Sequence, residues 1–170
     1  MASSSIVEYV AYMWMEREKE FWPITATWNK DEALLVPAGM KRDDINRIED
    51  KNLVAGGYML VSTGNSAVAR KFAILRGDFL FFFKNEQPNS PTLMLPLKEL
   101  RDARECPHNT PTEANPTPPF DLLCEFSSGD YSPVRLGFAS EMQRAEWQKE
   151  ISFRLHRVAK HPPPPTEVRW

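Results

Sequence analysis

The sequence predicts a mostly β fold with α structure at both ends: a seven-stranded antiparallel barrel or sandwich capped by a C-terminal helix, preceded by an N-terminal helical extension. Three observations predict it. From Val54 onward, short apolar runs alternate with clusters of turn formers. After Ser140 the pattern changes to one capped stripe with helical spacing. Ahead of both lie some fifty residues that are too apolar for a disordered tail.

The N-terminal segment comes first. Ser5-Ile-Val-Glu8 fits a capping box, in which a hydroxyl and a carboxylate satisfy the first free backbone donors of a helix. A helix over Ile6–Glu20 follows from it and ends before Pro23. Its first half is apolar nearly all round (Ile6, Val7, Tyr9, Val10, Tyr12, Met13, Trp14), which requires cover on more than one side. That face is a candidate contact for a protein partner or a second copy, with Ile6, Tyr9, Val10, Met13 and Trp14 as the candidate residues. Trp22, Trp28 and Ala33-Leu-Leu-Val36 continue the apolar character, and Lys41–Lys51 reads as a short polar helix burying Ile45 and Ile48.

Strand-like texture then takes over. Tyr58–Val61 precedes the turn formers Ser62–Ser66, and Val68–Leu75 leads through the tight turn Arg76-Gly77-Asp78 into Phe79–Phe83, a strand apolar on both faces. Thr92–Leu97 and Arg101–Cys106 are shorter strands; Phe120–Phe126 and Val134–Phe138 complete the set across Ser127–Asp130. Between them, Pro107–Pro119 holds five prolines in thirteen residues and is expected to be a long disordered loop. Ser140-Glu-Met-Gln143 is a second capping-box pattern, and Trp147, Ile151, Leu155 and Val158 recur at spacings of four, four and three. That stripe would plug the open corner of a two-sheet sandwich, and it stops before Pro162–Pro165. The expected division is 1–52 as the partly helical extension, 53–159 as the β domain and 160–170 as a proline-rich tail.

Three segments in this order resemble the pleckstrin-homology (PH) family. Lys71-Phe-Ala-Ile-Leu-Arg-Gly-Asp-Phe-Leu-Phe-Phe-Phe-Lys84 resembles the family's second and third strands with their basic-Gly turn. Gly57-Tyr58-Met59-Leu60 is similar to its first strand, and Phe138-Ala-Ser-Glu-Met-Gln-Arg-Ala-Glu-Trp147 to its last strand and tryptophan-bearing helix. The turn and third strand look most like endosomal adaptors of the sesquipedalian kind. The resemblance covers about 105 residues and leaves the first fifty unexplained.

It implies a targeting module. Lipid-binding members place a Lys late in the first strand and a basic-x-Arg triplet in the second, aiming cations at neighbouring phosphates. Here Val61 or Ser62 falls at the first position and the triplet reads Ala69-Arg70-Lys71, with a Lys where the bidentate Arg belongs. Arg70, Lys71 and Lys84 remain as a thin candidate site for phosphoinositide or a membrane surface.

Charge and motifs narrow the rest. The net charge is −2, and residues 54–159 carry 12 basic against 12 acidic groups, so no field draws nucleic acid. Two cysteines, Cys106 and Cys124, are too few for a disulfide scaffold, and Ala2 stands where myristoylation requires glycine. His108, His156 and His161 lack partners at metal-ligand spacing, and no nucleophile elbow, Walker loop or dinucleotide fingerprint occurs. No catalytic residue, metal or cofactor is therefore assigned. The expectation is a non-catalytic adaptor in the cytoplasm, peripheral to a membrane or the cytoskeleton. Its domain and extension would bind a protein partner, with phosphoinositide-dependent targeting as the alternative.

Overall fold

The computed structural model describes residues 8–15, 20–29, 34–48, 55–63, 68–87, 89–105, 120–127 and 133–160. Among these, the strands are β1 (Glu8–Met15), β2 (Glu20–Asn29), β3 (Leu34–Pro37), β4 (Ala55–Thr63), β5 (Ala69–Arg76), β6 (Phe79–Phe83), β7 (Leu93–Pro96), β8 (Leu100–Glu105), β9 (Phe120–Phe126) and β10 (Val134–Phe138). Helix α1 spans Arg42–Asn46, helix α2 spans Glu141–Lys160, and one 3₁₀ turn covers Leu97–Glu99. The strands form one curled antiparallel sheet in the order β1-β2-β3-β7-β6-β5-β4-β10-β9-β8.

Strands β4 to β10 with α2 are the seven strands and helix that the sequence predicts. β4 makes the corner, pairing Ala55–Val61 with β5 and Leu60–Thr63 with β10, so one long strand serves both halves of the sandwich. The β5–β6 hairpin closes through Gly77 at φ 62°, a left-handed conformation that suits glycine because it has no Cβ to clash. The open corner is filled by α2: Trp147 and Ile151 are buried, and the Trp147 ring stacks on Phe138 at 6.2 Å between centroids. Ser140 caps this helix by accepting from the Gln143 N–H at 3.1 Å, while Gln143 Oε1 accepts from Ala139 N–H at 3.1 Å. The expected Ser–Gln reciprocity is present, displaced by one residue on the return bond.

The N-terminal segment differs from expectation. In place of the helix expected over Ile6–Glu20, residues 8–15 form strand β1, antiparallel to β2 and paired from Glu8↔Thr27 to Met15↔Glu20. The physical reason lies in composition: Tyr9, Val10, Tyr12 and Trp14 are β-branched or aromatic, types that fit a pleated surface better than a helix. With β3 they continue the sheet past β7, through Leu35↔Met94. The sheet therefore has ten strands among the described residues rather than seven. Pro23 is tolerated inside β2 because the β2–β3 ladder covers only Ala26–Asn29, leaving Pro23 paired on one side alone.

Two apolar cores result. Leu80 and Phe82 of β6 face the sandwich interior with Met59, Ala73, Leu136 and Trp147. Phe79, Phe81 and Phe83 alternate to the other face, against Ile24, Trp28, Leu35, Met40, Ile45 and Ile48. This explains why β6 reads as apolar on both faces: the extension covers the second one. Ile45 and Ile48, assigned to a buried side from sequence, are both 0% exposed.

A five-residue helix is not stable on its own, so α1 depends on its anchors. Arg42 lies over the rings of Phe72 and Phe83, 5.2 and 5.1 Å from their centroids, and donates to the Glu86 carbonyl at 2.6 Å. At the other end Arg76 donates to the carbonyls of Asn46 and Ile48 at 2.9 and 2.6 Å, placing a cation where the helix exposes its last acceptors. The long loop 107–119, the tail 161–170 and Ile6 lie outside the described residues.

Candidate functional site

Strand alternation decides how the three candidate cations are arranged. In β5, Ala73 and Leu75 belong to the sandwich core, whereas Phe72 and Ile74 belong to the second core. Arg70 shares parity with Phe72 and Lys71 with Ala73, so the two neighbours stand on opposite faces of the sheet. Arg70 stacks on Tyr58, its guanidinium carbon 3.8 Å from the ring centroid. Lys84 follows β6 directly, and continuing the Phe72↔Phe83 register by one step sets it beside Lys71. The fold thus brings Lys71 and Lys84 together and separates Arg70 from them.

The position where a first-strand Lys would stand is filled by Val61, which is buried in the core, or Ser62, which is half-buried. Four other arginines pair with carboxylates. Arg135 pairs with Asp121 at 3.3 Å, Arg144 with Glu105 at 2.7 Å, and Arg101 and Arg104 both with Glu125. Among the described residues no carboxylate pairs with Lys71 or Lys84.

The N-terminal candidates sit at a sheet edge. Tyr9, Val10, Met13 and Trp14 all belong to β1, and among the described residues no strand lies beyond it. By register, Tyr9, Ala11 and Met13 pair with Ala26, Ile24 and Trp22. Val10 and Tyr12 pair with Thr25 and Pro23, and both of these β2 residues are exposed. A helical reading places these residues around a cylinder; the strand lines them along an edge that pairs with no other strand among the described residues.

The sheet's two edges differ in kind. β8 carries Arg101, Asp102, Arg104 and Glu105, tied by the ion pairs above and by Arg104–Asp102 at 3.3 Å. β1 carries one charge, Glu8, followed by seven uncharged residues, and its ladder to β2 runs without a bulge. Charges, prolines and bulges are the usual devices that keep edge strands apart, and β1 uses none of them beyond its first residue.

The perturbed titrating groups lie elsewhere. Burial lowers Lys98 and raises Glu99, each countered in part by the other's charge. Burial, with Asp102 adding to it, pushes the Cys124 thiol up to about 12. Arg154, unremarked in the sequence, is fully buried on α2 and donates to the Gly77 carbonyl at 2.8 Å. Its position three residues after Ile151 places it on the buried stripe, which is the signal that marks it.

No family model and no characterised protein matches the sequence. Among solved structures the chain is similar to Vav1 inhibited by an allosteric inhibitor, at 13% identity and TM-score 0.47, covering 64% of this chain and 18% of that one. It is similar to the PH domain of ArhGAP27 at 18% identity and TM-score 0.48, covering 61% of this chain and 99% of that one. The carboxyl-terminal PH domain of pleckstrin is similar at 15% identity and TM-score 0.46, covering 62% and 99%. On its own strand order, corner strand β4 and Trp147-bearing helix, the chain has a pleckstrin-homology-like fold, extended at one sheet edge by three further strands.

Proposed function

We propose that this chain is a non-catalytic adaptor whose PH-like domain and N-terminal strands bind a protein partner in the cytoplasm, at a membrane surface or the cytoskeleton. The observation that carries the reading is the β1 edge: the outermost strand among the described residues, with residues 9–15 uncharged. Such an edge offers main-chain donors and acceptors for affinity and alternating apolar side chains for fit, the requirements of strand addition. No helix among the described residues is long and apolar enough to cross a membrane.

The test is capture from cell lysate by the full chain and by a form lacking Met1–Lys19, with circular dichroism confirming that the remaining sheet is folded. Loss of captured protein on truncation is expected; an unchanged set of captured proteins would sink the reading.

Phosphoinositide binding is the second reading, favoured by the adjacency of Lys71 and Lys84. Two point charges without a bidentate Arg support weak contact that gains strength when several sites act together. Liposome sedimentation of K71A/K84A against the unmodified chain decides it, and equal pelleting with neutral and phosphoinositide vesicles would end it.

A further inference from the structure

We infer that the outer face of β4 and β5 is a docking surface for an acidic peptide segment, whose carboxylate is held by Arg70 above an apolar floor of Tyr58, Leu60 and Phe72. The inference rests on the proposed binding of a protein partner, and it assigns that partner's chemistry and a place on the PH-like domain.

Strand alternation makes the floor. Met59 and Val61 of β4 and Ala73 of β5 belong to the sandwich core, so Tyr58, Leu60, Arg70 and Phe72 share the opposite face. Over β6 that face is covered, and Phe79, Phe81 and Phe83 are buried beneath α1 and the N-terminal strands. The cover thins at β5. Phe72 packs at the margin of the second core and is half-buried, as are Tyr58 and Leu60 beyond it. On the far side Leu60 opposes Gly137 of β10, which adds no side chain to the surface.

Arg70 is exposed, with its guanidinium carbon 3.8 Å from the Tyr58 centroid. The ring covers one face of the cation and leaves its in-plane N–H groups for a forked acceptor. Arg42 and Arg76 donate to carbonyls, and four other arginines pair with carboxylates. Arg70 meets the ring and, among the described residues, no acceptor.

Charge decides which acceptor fits. Lys71 stands on the opposite face with Lys84 beside it, Arg42 at the near margin is tied to the Glu86 carbonyl, and Arg135 at the far margin is balanced by Asp121. One cation over an apolar floor matches the single charge of a carboxylate. A phosphate group, with a charge of about −1.5 to −2 at pH 7, is held by several cations together. A peptide supplies the carboxylate and, from its neighbouring residues, apolar side chains for the floor.

Selection from a random peptide library displayed on phage, with the full chain immobilised, tests this. Enriched peptides are expected to carry Asp or Glu beside aromatic or aliphatic residues. A synthetic copy of one should bind at least about tenfold more tightly than its carboxamide counterpart, and R70A should lose a similar factor. R70E is expected to turn the selection from acidic to basic peptides. Amide shifts of the unmodified chain give a readout that needs no variant, and they are expected to centre on Tyr58, Leu60 and Phe72. No enrichment, enriched peptides without a carboxylate, unchanged affinity in R70A, or shifts remote from this face would each overturn the inference. Phosphoinositide vesicles that pellet the chain through Arg70, with no peptide bound there, would assign the surface to lipid and overturn it too. Lysate capture that survives R70A but is lost without Met1–Lys19 would remove this surface and leave the protein-binding reading standing.

Discussion

Replacing Ile45 with Ala tests whether the N-terminal segment is part of the folded core. Ile45 is 0% exposed and lies among Phe79, Phe81, Phe83 and Met94. The substitution removes three buried carbons, about 2.4 kcal/mol at roughly 0.8 kcal/mol each. The cavity left behind raises the loss into the range of about 2–5 kcal/mol. The opposite wall is β6, held by β5 and β7, and collapses little, which favours the upper half of that range. Against a typical domain stability of roughly 5–15 kcal/mol the effect is large. Urea unfolding followed by far-ultraviolet circular dichroism and tryptophan fluorescence measures it, with coincident transitions expected in both probes. A change below about 0.5 kcal/mol, the scale of an unremarkable surface site, would refute the second core as described.

Two other substitutions and one chemical probe follow from the same packing. Arg154→Met keeps the aliphatic stem but removes the donor to Gly77, and is expected to lower unfolding stability by about 1.5–3 kcal/mol in urea; no change would mean the helix does not lock the β5–β6 turn. Arg42→Ala removes both ring contacts and the bond to Glu86, so amide exchange in α1 is expected to quicken while that in β9 and β10 stays the same; uniform acceleration would show that α1 does not open separately. In a C106S background Cys124 is expected to resist thiol reagents until the chain unfolds. Burial pushes its thiol up from an ordinary value of 9.0 to about 12, so the unfolded form loses its proton first and stability falls as pH rises between those values. Rapid labelling at neutral pH without denaturant would contradict that burial.

How much of this was legible in the sequence depended on periodicity. Strands such as Val134–Phe138 declare themselves because core and surface residues alternate, and α2 because Trp147, Ile151 and Leu155 share one face. Residues 9–15 carry neither signal. A run apolar at every position satisfies helical and strand periods alike, and Ser5–Glu8 then tipped the reading toward a helix cap. The β-branched and aromatic content was the better guide. Phe79–Phe83 held a second clue: a strand apolar on both faces requires cover on both, and the only uncommitted apolar segment was the N-terminal one. The split between Arg70 and Lys71 was also readable, since adjacent strand residues always part faces. The stacking of Arg70 on Tyr58 was not, because it depends on the Leu60↔Arg70 register.

The central claim is that residues 8–15 form an edge strand in the sheet. Backbone nuclear magnetic resonance of the full chain tests it most directly. The account expects extended chemical shifts over Glu8–Met15 and close cross-strand contacts between residues such as Ala11 and Ile24 or Met13 and Trp22. Helical shifts with contacts between residues three apart would contradict it, and the β1 edge would fall with it.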